Sequence, residues 1–436
     1  METLVRWMVT AIFSMTLAFA APEQGRGALP AAKDAFAGVA FREVQRTVLP
    51  GNISHYTFDI RVGPGQFDMI RLHRVLKEPT PGHPVRTVSG VLLLPGAPNY
   101  FEAVFMTPLI SQAIPSDHSI AVFLAKNDID VWGMDYRWAL VPPETTWLGF
   151  MKDWGIAKDV QDTEIALSIA RFMRAWSGQD YSPLHLLGFS WGGMIGYSLA
   201  SEETQQPDSL RNLKGLIALD FGVKIENEAD RSADYCDWVE SDRATLDSGV
   251  YNVDNGSFLK KLGALALSAP KGPSDDFPGL TNHQAALFAG TSNELSGGQF
   301  WHFVGGYLDE SGVPSDLRYT KARVWLDLLQ NVPTHFPMRA GAEQDLWFCG
   351  KTNVTFTEHL DQIAIPLLHV GAAGGFGKAG FYTTKFTKSK DVQTVLVQRL
   401  ADDKRQEDFG HADTVLADDA ETTVWKPILD WIIAHR

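Results

Sequence analysis

The sequence is poor in the features that would mark several large functional classes. No run of Lys or Arg is dense enough to form a phosphate-binding stripe, and 38 basic residues stand against 52 acidic ones, a formal net charge of -14. Nucleic-acid binding is therefore not expected, and the acidity reads as solubility and self-avoidance. There is no His-Glu-x-x-His, no Cys-x-x-Cys and no phosphate loop, so no metal or cofactor is implied. Only two cysteines occur, Cys236 and Cys349. In an oxidising compartment they could pair, the alternative being two buried thiols, and neither has a nucleophile-like context. Beyond the first twenty residues no segment is long and apolar enough to cross a bilayer.

What is present begins with an export signal. Arg6 precedes the apolar run Trp7 to Phe19, and Ala18-Phe19-Ala20 is a small-x-small cleavage site. Residues 1–20 read as a signal peptide cleaved near Ala20, giving a secreted or periplasmic protein, with an uncleaved anchor as the rival reading. Residues 21–38, rich in Ala, Gly and Pro, read as a flexible leader. About 45% apolar and 11% aromatic residues supply ample material for a core.

From there, strand and helix patterns alternate. Ile53–Val62 and Asp68–Leu76 read as antiparallel edge strands. Val88–Leu94, Ile129–Gly133, Leu184–Leu187 and Leu216–Leu219 read as buried ones. Helical spacing marks His118–Lys126, Trp154–Trp176 and Trp191–Ala200. The alternation stops between about Gly222 and Asp361, then resumes with strands at Ile365–Val370 and Val392–Leu400 and a closing helix over Glu421–His435. This order predicts an α/β fold: a mainly parallel sheet with helices on both faces. The core would comprise residues 39–221 and 362–436, with a large, mostly helical cap, 222–361, inserted after the sixth core strand. Such a cap would bury whatever lies beneath it.

Gly188-Phe189-Ser190-Trp191-Gly192-Gly193 has the Gly-x-Ser-x-Gly form, after a buried strand and before a helix. A serine turned sharply out of a strand sits in strained backbone, and side chains at the flanking glycine positions would clash. Ser190 would also stand at a helix N-terminus, where free N–H groups favour developing negative charge. A serine hydroxyl needs a base, and histidine suits neutral pH. His185 and His369 lie in core strands, where buried hydrogen bonds are expected. His302 and His335 lie in the insert and could touch substrate.

With this elbow and the closing segment Asp408-Phe409-Gly410-His411-Ala412-Asp413, the chain resembles the α/β-hydrolase superfamily, specifically its capped ester-cleaving branches. The resemblance spans about Gly51 to His435, although the insert itself matches nothing identifiable. It implies Ser190 as nucleophile and His411, in the loop before the last helix, as base. Trp132-Gly133-Met134-Asp135-Tyr136-Arg137 resembles the family's usual strand-to-loop segment, which gives Asp135 and Arg137 structural roles. The acid usually follows the seventh strand, but here that loop, Ala372 to Phe381, has no carboxylate before the distant Asp391. Some members place it after the sixth strand, which selects Asp220, with Glu226 in reserve. The oxyanion donors would be the N–H of Trp191 and, in Leu94-Pro95-Gly96-Ala97-Pro98, that of Ala97; the His-Gly common in relatives is missing. The expectation is a carboxylic-ester hydrolase acting on a small-molecule, apolar or aromatic ester. A peptidase, lactonase or carbon–carbon bond hydrolase would use the same triad, and a catalytically idle binding protein would keep only the fold.

Overall fold

The computed structural model describes residues 40–224, 234–293, 301–350 and 357–436. The signal peptide, the leader and Glu226 lie outside the described residues. Nine strands form the main sheet: β1 (Ala40–Leu49), β2 (Ile53–Arg61), β3 (Met69–Lys77), β4 (Ser89–Leu94), β5 (Ile129–Asp135), β6 (Leu184–Phe189), β7 (Leu213–Leu219), β8 (Leu367–Ala372) and β9 (Val392–Val397). Their order is β1-β2-β3-β5-β4-β6-β7-β8-β9. β1 to β3 and the β3–β5 pair are antiparallel, and every pair from β5 through β9 is parallel.

The central strands are continuous apolar runs because both faces are covered. Val91 and Leu93 of β4 pack to one side with α1 (Ile120–Lys126) and α9 (Lys426–Ala434). Leu92 and Leu94 pack to the other, against α2 (Ile156–Trp176) and α3 (Trp191–Glu203). β1 was not anticipated from the sequence. Over 44–49 no side chain is fully buried and Gln45 and Arg46 interrupt the apolar positions, so the period-two signal is faint. Arg46 instead holds the edge electrostatically, bonding Glu78 at 2.9 Å and Ser54 at 2.9 Å.

Between β7 and β8 the chain adds no strand to the main sheet among the described residues. It forms α4 (Asp234–Asp247), α5 (Gly256–Ser268), α6 (Asn282–Thr291), α7 (Ala322–Gln330) and α8 (Met338–Phe348), with two short antiparallel strand pairs. A disulfide joins Cys236 of α4 to Cys349, directly after α8. Arg137 is buried in ion pairs with Asp162 of α2 and Asp68, and Asp135 accepts a 2.6 Å bond from the Phe101 N–H.

The disulfide closes a sequence separation of 113 residues, and constraining so long a loop in the unfolded chain stabilises by about 2–4 kcal/mol. Replacing both cysteines by serine should lower urea-unfolding stability by about that amount. Unchanged stability would show that α4 and α8 are held by packing alone.

Candidate active site

β6 ends at Phe189 and the chain reverses at Ser190, whose φ of 54° and ψ of -120° place it in the strained region expected of an exposed nucleophile. Only glycine fits beside it. A Cβ on Gly188 would lie 2.1 Å from the Gly192 carbonyl oxygen, and one on Gly192 would lie 2.2 Å from that of Leu94. The Ser190 N–H donates to Leu219 O at 3.2 Å, tying the elbow to the end of β7. Ser190 is half-buried rather than fully buried, which corrects the expectation of a nucleophile buried beneath the insert.

The loop after β4 runs against this serine. A Cβ on Gly96 would stand 2.7 Å from Ser190 Cβ, so the backbone passes at a distance that only glycine permits. Ala97 is the next residue. Neither its N–H nor that of Trp191, at the start of α3, meets an acceptor among the described residues.

Asp220 follows β7 with φ of 50° and is fully buried. A buried carboxylate needs donors for its charge, and it has four. Oδ1 accepts the N–H groups of Ala372 at 2.7 Å and Gly377 at 3.1 Å; Oδ2 accepts that of Phe376 at 3.1 Å and lies 2.7 Å from His411 Nδ1. Ala372 is the last residue of β8, and Phe376 and Gly377 lie in the loop after it, the one that lacks a carboxylate. A Cβ on Gly375 would fall 2.0 Å from Asp220 Oδ2, so this loop can close over the acid only with glycine there.

His411 is buried, and the Asp220 bond leaves Nε2 free; it has no hydrogen-bond partner among the described residues. The ring is walled by Phe189 at 4.6 Å, Trp301 at 5.1 Å, Phe376 at 5.5 Å and Phe303 at 6.0 Å between centroids. The backbone is fixed from the insert: the His411 N–H donates to His302 O at 2.9 Å and that of Ala412 to Phe303 O at 2.6 Å. Buried Asp413 accepts from Gly305 N, Gly410 N and Thr320 Oγ, which joins the same two segments. Burial pushes its carboxyl up to about 7.

Other histidines depart from expectation. His302 does not present its ring as a free substrate contact, since Nε2 lies 2.9 Å from the Asp408 carbonyl, while His335 is held by Asn252 Oδ1 and Pro142 O. His369 is buried in β8, and among the described residues both ring nitrogens lack the expected hydrogen-bond partners; burial lowers it to about 4, keeping it neutral. Asp159 is a residue the sequence did not single out. Its Oδ2 accepts the indole N–H of Trp191 at 2.9 Å and of Trp138 at 3.3 Å, anchoring the side chain next to the elbow. An aspartate in the first turn of a helix reads as a partner of the helix dipole, and that ordinary role conceals this one.

Burial outweighs these indole donors and raises the Asp159 carboxyl to about 8. An unfolded aspartate loses its proton near about pH 4. The folded state therefore binds the extra proton between those values, and its stability falls as pH rises through that window. Asp159→Asn keeps an acceptor and has no proton to lose. It should flatten the decline of the urea midpoint between about pH 5 and pH 8; an unchanged slope would contradict the assignment. Gly375→Ala should break the Asp220 cradle, removing the far-downfield proton resonance of the His411–Asp220 bond. Retention of that signal would show that the loop yields without disturbing the acid.

No family model matches the chain, and no curated protein matches it. Solved structures do. A candidate lipase from Sulfolobus solfataricus is 19% identical with a TM-score of 0.60, over 90% of this chain and 99% of that one. A soluble variant of monoglyceride lipase from Saccharomyces cerevisiae, in complex with a substrate analogue, is 14% identical with a TM-score of 0.49, over 95% and 99%. The sheet order, the elbow at the end of β6 and the first of these likenesses agree on the architecture: the chain has the α/β-hydrolase fold.

Proposed function

We propose that the chain is a serine hydrolase of carboxylic esters, with Ser190 as nucleophile, His411 as base and Asp220 as acid. The observation that carries this reading is the 2.7 Å His411–Asp220 bond, which leaves Nε2 as the free imidazole nitrogen while the neighbouring strand ends on the strained Ser190. In this reading His411 Nε2 takes the proton of Ser190 Oγ as Oγ bonds the ester carbonyl carbon. The oxyanion forms against the N–H groups of Trp191 and Ala97. Collapse breaks the ester C–O bond, and His411 returns its proton to the departing alkoxide. Water, deprotonated by the same nitrogen, then attacks the acyl carbon; the acyl–Oγ bond breaks, the acid leaves, and His411 returns the proton to Ser190 Oγ. Asp220 holds Nδ1–H and stabilises the imidazolium at each step.

Residues 222–361 are proposed as a cap that supplies the aromatic wall of the site. Trp301 and Phe303, with Phe376 and Phe189 of the core, favour an apolar or aromatic ester. Export is part of the proposal. The disulfide fits an oxidising compartment, and no helix among the described residues is long and apolar enough to cross a membrane.

p-Nitrophenyl esters of increasing chain length, assayed beside aminoacyl anilides, test the reaction class. Ester turnover is expected, falling about a million-fold in Ser190→Ala and about 10,000-fold in Asp220→Asn with little change in KM. Anilide cleavage without ester cleavage would replace the esterase reading with a peptidase one. Full ester activity in Ser190→Ala would overturn the mechanism.

A further inference from the structure

A second cluster of chemically capable side chains lies on the antiparallel side of the sheet, apart from Ser190 and its partners. Thr57 of β2 stands opposite His73 of β3, and His55 opposite Val75. His55 and His73 are therefore diagonal neighbours on one face. Both are buried, and His55 Nε2 lies 3.0 Å from His73 Nδ1. Packing alone explains two buried rings beside Phe101, whose centroid is 4.4 Å from that of His73. It does not explain the carboxylates around them. Asp135 Oδ2 lies 3.1 Å from His73 Nε2, and Glu102 Oε1 lies 3.9 Å from His55 Nδ1.

These carboxylates set the chemistry of the imidazoles. His73 Nε2 faces Asp135 Oδ2, so Nδ1 is the nitrogen turned toward His55 Nε2. Histidine backed in this way by a carboxylate is the usual arrangement of a metal ligand. His55, His73 and Glu102 each offer a ligand atom, and the three atoms lie within 4.8 Å of one another. Two nitrogens on one tetrahedral zinc, at about 2.05 Å each, stand about 3.3 Å apart. The observed 3.0 Å is a few tenths of an ångström short of that. Accepting an ion requires His55 to turn its Nε2 lone pair inward, its proton moving to Nδ1 on the side of Glu102.

Charge and access favour the same ligand. Arg71, whose charge acts on His55 and Glu102, is matched by Asp59 in a two-pronged pair at 2.6 and 3.0 Å. Glu102 and Asp135 remain as two anionic groups for a dication. Both also line a cavity of about 420 Å³ with Arg71, Tyr100, Pro142 and Asn331, which brings open space to the carboxylate side of the cluster. Two imidazoles and one carboxylate suit zinc-class ions, whereas magnesium and calcium prefer oxygen throughout.

We propose that His55, His73 and Glu102 bind one zinc-class divalent ion. The ion clasps β2 and β3 to the helical turn Phe101–Phe105, which directly follows the Gly96–Ala97 loop beside Ser190. Its role is structural, and the site stands whatever reaction Ser190 performs.

The test is calorimetric titration of the chelator-dialysed full chain with zinc, alongside cobalt(II) titration followed by visible absorbance. One ion per chain is expected, with cobalt giving the intense bands of a four-coordinate site and zinc raising the thermal midpoint. Glu102 is half-exposed, so Glu102→Gln leaves the core intact; it should weaken binding about tenfold or more and abolish the thermal response. His55→Gln should remove binding. Absence of stoichiometric binding by the wild type would overturn the proposal. Binding by both variants as tight as the wild type's would place the ion elsewhere on the surface and overturn it equally.

Discussion

The site depends on one buried charge. Asp220 has no access to solvent, and an isolated carboxylate in such a place would cost several kcal/mol. Four donors offset that cost: the N–H groups of Ala372, Phe376 and Gly377, and His411. Asp220 belongs to the chain before the insert, and all four donors belong to the chain after it. The carboxylate is thus where the two stretches of the core meet, and the pairing of β7 with β8 brings them into register.

From this point the surroundings of His411 follow. Its ring is oriented by Asp220 and enclosed by aromatic side chains, so Nε2 is kept away from competing protein donors. Its backbone leans on the insert, because residues 302 and 303 supply the carbonyls that fix residues 411 and 412. The insert is therefore coupled to His411 directly. Across the site, Asp159 does for Trp191 what Asp220 does for His411: a buried acid fixes a side chain and, through it, a backbone position.

The sequence was legible wherever a rule leaves a residue-type signature. Apolar runs marked the central strands, since a strand covered on both faces has no polar side. Gly188, Ser190 and Gly192 marked the elbow, since side chains at the glycines would collide with backbone. Asp220 came from the resemblance, whose usual loop for the acid is empty here and some of whose members place it after the sixth strand; the structure sets its Oδ2 beside His411 Nδ1. What stayed hidden left no such trace. The Ala372, Phe376 and Gly377 donors are backbone groups, which any residue but proline carries. β1 is tied to β2 by its backbone ladder and by Arg46 with Glu78, and among its described side chains only Val44 and Leu49 lean on the core, so its apolar face is faint. His369 was expected to be hydrogen-bonded and is simply neutral and packed, and His302 turns to a carbonyl rather than to a cavity.

The central claim is that Ser190 is a nucleophile activated by His411 and Asp220. Intact-mass spectrometry after incubation with a fluorophosphonate measures this directly, because the reagent bonds only to an activated serine. The account predicts one adduct per chain on Ser190, absent in Ser190→Ala and formed far more slowly in Asp220→Asn. No adduct on the wild type, or an undiminished one in Ser190→Ala, would contradict it.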